Sequence, residues 1–420
     1  MAPERTVQLD DALFRTDCPN GLVVVTERIP SVRSAAMGIW VRTASGHESR
    51  AKMGVSHLLE HLVFKGTERR TAREIALSLE SRGGSLDAFT SRDHTAYQAH
   101  VLDADLPLAL DVLTDLVRRP LLRESDLSLE RNVVLEELNG VLDTPDDLVG
   151  ELWNETLWPD HPYGYSILGT PETVSALQAA DLRGVHTSGY YPGNAVVAVA
   201  GNVKHGAILE LLEAEGWFVG DAKAAMPSVA AAAAARGVTR VEARDLQQVH
   251  AVMGTDTVTA ADERRWGLAL LSAAIGGGMS SRLFQRVREE LGLCYAIQAW
   301  HATYRAAGVF GIYVGTAPGT AEQALAVIHE ELAKVASEGL PANELADAKG
   351  QIKGSVTLAL ESTVSRMNRL AGHVLNDEPY RSIDEVLRLV DAVTVEETAS
   401  LAGAFLRPER MTTVRLGPPA

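Results

Sequence analysis

Cysteine is nearly absent from this chain: among 420 residues only Cys18 and Cys294 occur, far apart and outside any metal-ligand spacing. A cysteine-stapled scaffold is excluded, and two free thiols in a reducing compartment are the expectation, a single disulfide between them being the alternative. Long apolar runs are missing too. No stretch is long enough to span a bilayer, and the opening MAPERTVQLDDALFRTDC has no apolar signal core and carries acids that a transit peptide would lack. A cytoplasmic location without a membrane partner is therefore expected. Positive charge is in short supply, with 39 Lys and Arg against 55 Asp and Glu and a net charge of −16, which argues against nucleic acid as a partner.

What remains is an ordinary globular composition, 46% hydrophobic and 22% charged, with length for two domains of about 200 residues each. Composition shifts between Gly220 and Gly237, where GDAKAAMPSVAAAAAARG carries the run Ala230 to Ala235. Such a stretch packs poorly and reads as an interdomain linker, partly helical. The expected division is 1–220, a linker 221–237, and 238–420. The halves read alike. Each opens on a strand containing Met-Gly (Ala35 to Gly38; His250 to Gly254) and closes on a proline followed by a strand (from Tyr190; from Phe405). A duplication accounts for this. Strand-like runs (VVVTE, MGIWVRT, AYQAHV, VVAVAG) alternate with helices that carry clear signals, such as the Thr71/Glu74 capping box and the Gly83-Gly84 stop. The fold class is α+β: two homologous domains, each an antiparallel-rich sheet with helices on one face.

Chemistry concentrates in GVSHLLEHLVFKG, Gly54 to Gly66. Wound as a helix, Val55, Leu58, Leu59, Leu62 and Val63 share one arc, while His57, Glu60 and His61 share the opposite one. Imidazoles at i and i+4 converge on one point, as a zinc site requires, and Glu60 can reach a water on that metal as a general base. The second half has no counterpart: its corresponding helix, WGLALLSAAIGGG from Trp266, lacks histidine. One zinc per chain is therefore expected. A hydrolytic zinc takes three protein ligands and leaves a fourth position to water. In SDLSLERNVVLEELNGVL, from Ser125, a helical reading puts Leu127, Val133, Val134, Leu138 and Val141 on an apolar stripe with Glu130 and Glu137 in its middle. Buried carboxylates need a cation or several donors. Glu137 is assigned as third ligand and Glu130 as an acid shaping the site, the alternative being two interhelical ion pairs.

With this spacing the chain resembles the pitrilysin/insulysin family of inverzincin metallopeptidases, whose motif is H-x-x-E-H followed by a distant Glu and an essential Glu seven positions before it. By size it is similar to the short two-domain bacterial branch related to the mitochondrial processing peptidase subunits. FKGT (Phe64 to Thr67), DTPDD (Asp143 to Asp147) and HPYG (His161 to Gly164) extend the likeness over nearly the whole chain. The resemblance implies two domains facing each other across a substrate cleft, and a zinc endopeptidase acting on peptides or unfolded segments. It also implies that Asp87, Ala88, Phe89 and Thr90 form an edge strand to which the peptide adds. Asp87 stands where relatives have asparagine. Arg288 and Tyr295, within GGGMSSRLFQRVREELGLCYAIQAW, match an arginine and a tyrosine that hold the substrate backbone and the carbonyl under attack; Arg282 and Arg286 are weaker candidates. Other histidines, His94, His100, His161 and His186 among them, are read as structural. Because one chain carries both the zinc set and the Arg/Tyr pair, a homodimer is expected. The alternatives are a heterodimer with a related subunit, a dedicated leader- or presequence-processing enzyme, and a non-catalytic scaffold.

Overall fold

The computed structural model describes residues 5–220, 225–226 and 228–419. The chain forms two compact units: one from residues up to Leu138 with Ser166–Ser228 and Ala359–Tyr380, the other from Asn139–Tyr165, Val229–Leu358 and Arg381 onward. These units interleave along the sequence, so they depart from the contiguous division at 221–237. The change of unit falls inside a single long helix, immediately after Leu138.

The first unit is built on seven strands, β1 (Arg5–Asp10), β2 (Leu13–Asp17), β3 (Val23–Arg28), β4 (Ser34–Val41), β5 (Ser85–Thr90), β6 (Thr95–Leu102) and β7 (Ala195–Gly201). Their order is β1-β2-β3-β7-β4-β6-β5. Only β3 and β7 run parallel; the other pairings are antiparallel. On one face lie α1 (Val55–Val63), α2 (Ala72–Glu80), α3 (Leu106–Arg118) and the unit's part of α4 (Glu124–Asp143), with Leu58, Leu62, Leu113 and Val134 in a core shared with Val24, Met37 and Val199. The capping box on α2 forms as its sequence signals, with Glu74 N–H donating to Thr71 Oγ1 at 3.3 Å and Thr71 N–H to Glu74 Oε2 at 2.8 Å.

The opposite face is covered as well, by the helix Thr363–Leu375, whose Met367, Leu370 and Val374 pack on Val25, Trp40 and Val196. The expected helical layer on one face is present, and this helix adds to it. Its physical reason is in the strands: VVV of β3 and AVVAVAG of β7 are apolar without alternation, so both of their faces need cover.

The second unit has five strands, β8 (Thr239–Ala243), β9 (Val249–Thr257), β10 (Cys294–Thr303), β11 (Gly308–Thr316) and β12 (Thr412–Gly417), in the order β10-β11-β9-β12-β8. All pairings are antiparallel except β12 with β8. The helices Arg265–Gly276 and Ala321–Glu338 cover one face, and α5 (Pro145–Leu157) the other, where Trp153 Nε1 donates to Thr412 O at 2.9 Å.

The described part of the alanine-rich segment departs from its sequence reading. Residues 221–224 and 227 of the expected linker lie outside the described residues, whereas 228–238 form neither helix nor strand. Three bonds fasten them to the second unit: Trp158 Nε1 donates to Ala233 O at 3.1 Å, His161 Nε2 lies 2.8 Å from Ala230 O, and Ala235 N–H donates to Asp256 Oδ1 at 2.9 Å. Side chains of larger residues anchor the alanine backbone, so high helix propensity is overridden by tertiary hydrogen bonds. His161 is structural, as read. Both cysteines are free thiols. No helix among the described residues is long and apolar enough to cross a membrane.

Candidate metal centre

The site begins with the way α1 starts. Gly54 sits at its N-cap with φ of +89°, a left-handed conformation, and a Cβ there would come within 2.6 Å of Leu168 O. No side chain of the helix caps its amides. The cap comes from six residues upstream: the buried Glu48 accepts from Gly54 N–H and Ser56 N–H, each at 2.8 Å. When ionised, this carboxyl also complements the helix dipole.

α1 is buried almost throughout, including His57 and Glu60, so its polar face is not a solvated face. His57 Nε2 and His61 Nε2 lie 3.7 and 3.6 Å from Glu137 Oε2. These separations exceed hydrogen bonds, and His57, His61 and Glu137 each offer a ligand atom within 4.8 Å of the others. Their fit to a small divalent ion is supported by what holds His61 from behind. Glu130 Oε1 lies 3.2 Å from His61 Nδ1, an arrangement that places the ring proton on Nδ1 and leaves the Nε2 lone pair facing the shared point. Lys65 Nζ, 2.6 Å from Glu130 Oε2, neutralises that buried acid. Burial, and then the neighbouring His61, push the His57 imidazole down to about 4, so it is the neutral form that a metal requires.

The two glutamates of α4 separate in the structure. Glu130 is 5% exposed and buried, but the Glu137 side chain is 43% exposed, and Val133, expected on the apolar stripe, is 49% exposed. Leu127, Val134 and Leu138 are the buried apolar residues of this helix in the first unit, with the half-buried Leu135 packed beside them, and Glu137 sits at the margin of that stripe. That is the chemical position for an acid that must reach a solvent-accessible ion.

Glu60 stands beside the pair. Thr90 Oγ1 donates to Glu60 Oε2 at 2.6 Å. Burial raises the Glu60 carboxyl above its ordinary value, opposed by the Thr90 bond and His61, while Glu137 and Asp87 add to the rise. Thr90 ends β5, which is the edge strand of its sheet and alternates exposed and half-buried residues. Phe89 is exposed, Ala88 half-buried, and Asp87 bonds its own neighbour, Ala88 N–H, at 2.9 Å. Thr90 thus has a partner that sequence reasoning did not foresee. Glu48 and Lys65 were missed altogether, because a cap six residues from its helix and a lysine in FKGT leave no local signature.

In the second unit, Arg282 pairs with Glu331 and Glu344, and Arg286 with Glu290, so these two arginines serve ion pairs. Arg288 lies on a segment, Phe284–Glu290, that widens into a π-helix, with its guanidinium 4.5 Å from the Phe284 ring centre and 5.4 Å from that of Tyr295. Tyr295, which its strand context marks as a core residue, is 77% exposed. Both line a cavity of about 550 Å³ together with His250, Tyr313 and Asp146.

A seven-stranded mixed sheet carrying an H-x-x-E-H helix, a third carboxylate within ligand reach, and a second mixed sheet whose described residues hold no such cluster define a metallopeptidase-type architecture. The family models agree: "Insulinase (Peptidase family M16)" matches residues 23–171 and "Peptidase M16 inactive domain" matches 176–352. The chain belongs to peptidase family M16. It is 40% identical to an uncharacterized zinc protease of Mycobacterium leprae, over 99% of this chain and 94% of that one. It is 38% identical to an uncharacterized zinc protease of Bacillus subtilis, over 92% and 94%. Among solved structures, a protease from Helicobacter pylori shares the fold with a TM-score of 0.90 at 24% identity, covering 99% of both chains. A peptidase M16 inactive domain from Pseudomonas fluorescens does so with a TM-score of 0.89 at 20% identity, covering 99% of this chain and 98% of that one.

Burial pushes the Glu48 carboxyl from 4.5 up to about 7, against its two N–H donors. The folded chain then keeps a proton that the unfolded chain has shed. Its contribution to stability is full below about pH 4.5 and declines as pH rises through 7. Glu48→Gln is expected to lose about 1–3 kcal/mol of stability below pH 4.5, since its amide turns one donor toward a helix N–H. The difference from wild type should shrink toward neutral pH, as urea titrations of both proteins at several pH values will show.

Proposed function

We propose that this protein is a zinc-dependent endopeptidase that hydrolyses peptides or unfolded polypeptide segments. The observation that carries this reading is the convergence of His57 Nε2, His61 Nε2 and Glu137 Oε2, with a buried carboxylate, Glu60, held beside them by Thr90. Zinc bound there would polarise the scissile carbonyl and acidify a water, as in other sites with three protein ligands. Glu60 takes the proton of the attacking water and passes it to the departing amine. With Oε2 fixed by Thr90, its Oε1 remains to receive that proton.

β5 offers the free edge to which an extended peptide adds as another strand, binding main chain and tolerating varied side chains. Arg288 and Tyr295 stand as candidate donors to substrate, a role that rests on the family resemblance. That relatives are described as zinc proteases supports the metal and the reaction class.

The test is digestion of a mixed peptide library by the purified chain, with and without a chelator, with the cuts mapped by mass spectrometry. Chelator-sensitive cleavage by the single chain is expected, and cuts in one sequence context only would narrow the reading to a leader-processing enzyme. No cleavage by zinc-loaded protein would contradict it.

The Thr90 bond adds a prediction. Thr90→Val is expected to lower kcat about 10–100-fold with KM little changed, because a hydrogen bond to a charged group is worth about 1.5–3 kcal/mol and this one orients the base. Thr90→Ser should restore most of the loss. Steady-state kinetics on one library peptide decide it.

A further inference from the structure

A cavity of about 740 Å³ lies wholly within the second unit, lined by the end of α5, the turn that follows it, and the alanine-rich segment bonded to that turn. It shares no residue with the metal centre or with the cavity that holds Arg288 and Tyr295. Its size suits a small molecule.

Most of its polar groups are already engaged. Trp158 Nε1 and His161 Nε2 both serve carbonyls of the alanine segment, and His161 Nδ1 accepts from Tyr163 N–H at 3.1 Å, so this imidazole is a neutral tautomer with no donor left over. Arg240 is likewise committed, to Glu155 at 2.9 Å and to Glu242 at 3.5 Å. Two charged side chains are left. Asp160 and Arg236 both line the cavity and are exposed, and neither has an ion pair or hydrogen bond among the described residues.

These two stand in settings of opposite polarity. α5 ends at Leu157 and the chain turns at once, His161 N–H donating to Trp158 O at 3.2 Å, which puts the negative end of the helix dipole beside Asp160. On the alanine segment, the backbone N–H groups of Ala231 to Ala234 have no acceptor among the described residues, and Arg236 follows them. One part of the lining attracts a cation; the other offers donors to an anion. The cavity also leaves apolar surface uncovered, Val238 at 44% exposure and the methyl groups of exposed alanines, which a ligand would remove from water.

We propose that this cavity binds a short peptide with both termini free and an apolar side chain, its carboxylate held by Arg236 and its ammonium group by Asp160. Peptide carbonyls are the matching acceptors for the free N–H groups of the alanine segment. A fatty acid would satisfy Arg236 and the apolar surface but leave Asp160 unused, and an amine would do the reverse. The inference needs neither zinc nor Glu60, although fragments released by the proposed cleavage have this chemistry.

Isothermal titration calorimetry on the zinc-loaded chain tests it, in the Glu60→Gln background so that no peptide is consumed. The probes are alanyl-alanyl-phenylalanine, its C-terminal amide, its N-acetyl form, and decanoate. The free tripeptide is expected to bind with a Kd of about 0.1 mM. Amidation of the probe, or Arg236→Gln, should weaken binding at least about tenfold, and acetylation, or Asp160→Asn, about fivefold. Decanoate should bind at least about tenfold more weakly than the tripeptide. The same affinities are expected after zinc is stripped, so a failure of hydrolysis leaves this result untouched. Both substituted side chains are exposed, and the modified peptides give the same reading on unaltered side chains of the cavity. No binding at millimolar tripeptide, or an affinity indifferent to amidation and to Arg236→Gln, overturns the proposal. Decanoate binding as tightly as the tripeptide, or indifference to both acetylation and Asp160→Asn, overturns the assignment to a peptide.

Discussion

Glu60→Gln is expected to keep one zinc per chain and to lower kcat by about 10²–10⁴-fold, the range of general-base catalysis. Glutamine has nearly the same shape and still accepts the Thr90 bond through its carbonyl oxygen, so the packing around α1 is preserved. What it loses is the ability to take a proton. Metal content by mass spectrometry and turnover on a library peptide separate the two roles. A variant with native zinc and near-native turnover would remove Glu60 from the reaction, while a variant without zinc would make it a ligand.

Glu137→Gln has the larger effect on metal. A neutral amide replaces the only anionic ligand of the set, so zinc retention through dialysis is expected to fall below stoichiometry and peptide cleavage to disappear. Stability of the metal-free chain should change little, because the Glu137 side chain is 43% exposed. Glu130→Gln is the informative companion. It leaves the ligands in place but weakens the hold on His61 Nδ1 and strips Lys65 of its counter-ion, and an outer partner of this kind is worth about 10–100-fold in metal affinity. The two variants therefore differ in size and in kind: one removes a ligand, the other lets a ligand wander.

Much of this centre is legible in the chain because its parts obey helical spacing. His57 and His61 are four apart on one helix, and Glu130 and Glu137 are two turns apart on another, so periodicity places each pair on a face without tertiary knowledge. The edge strand is legible for a similar reason: Gly83 and Gly84 end a helix, and the alternating SLDAFT that follows can only be a strand with one face toward the core.

The parts that escaped have no such period. Glu48 caps α1 across a loop, and nothing in its neighbours distinguishes it from a surface acid. The exposure of Glu137, against the burial of Glu130, depends on where α4 leaves the first unit, which its apolar stripe does not record. The helix Thr363–Leu375 shows an apolar face in sequence, but not which sheet that face covers. A signal was nonetheless present in the unbroken apolar runs of β3 and β7, which demanded cover on both sides. The alanine run misled for a physical reason: helix propensity is worth tenths of a kcal/mol per residue, and bonds from Trp158 and His161 outweigh it.

The most direct test of the central claim is X-ray absorption at the zinc edge of the reconstituted chain. Two imidazole nitrogens and a carboxylate oxygen at about 2.0–2.2 Å, with one further light atom and no sulfur, are predicted for the wild type, with the carboxylate contribution lost in Glu137→Ala reloaded with excess metal. A spectrum showing sulfur near about 2.3 Å, or one unchanged by the loss of Glu137, would contradict the assignment of His57, His61 and Glu137 as the ligand set.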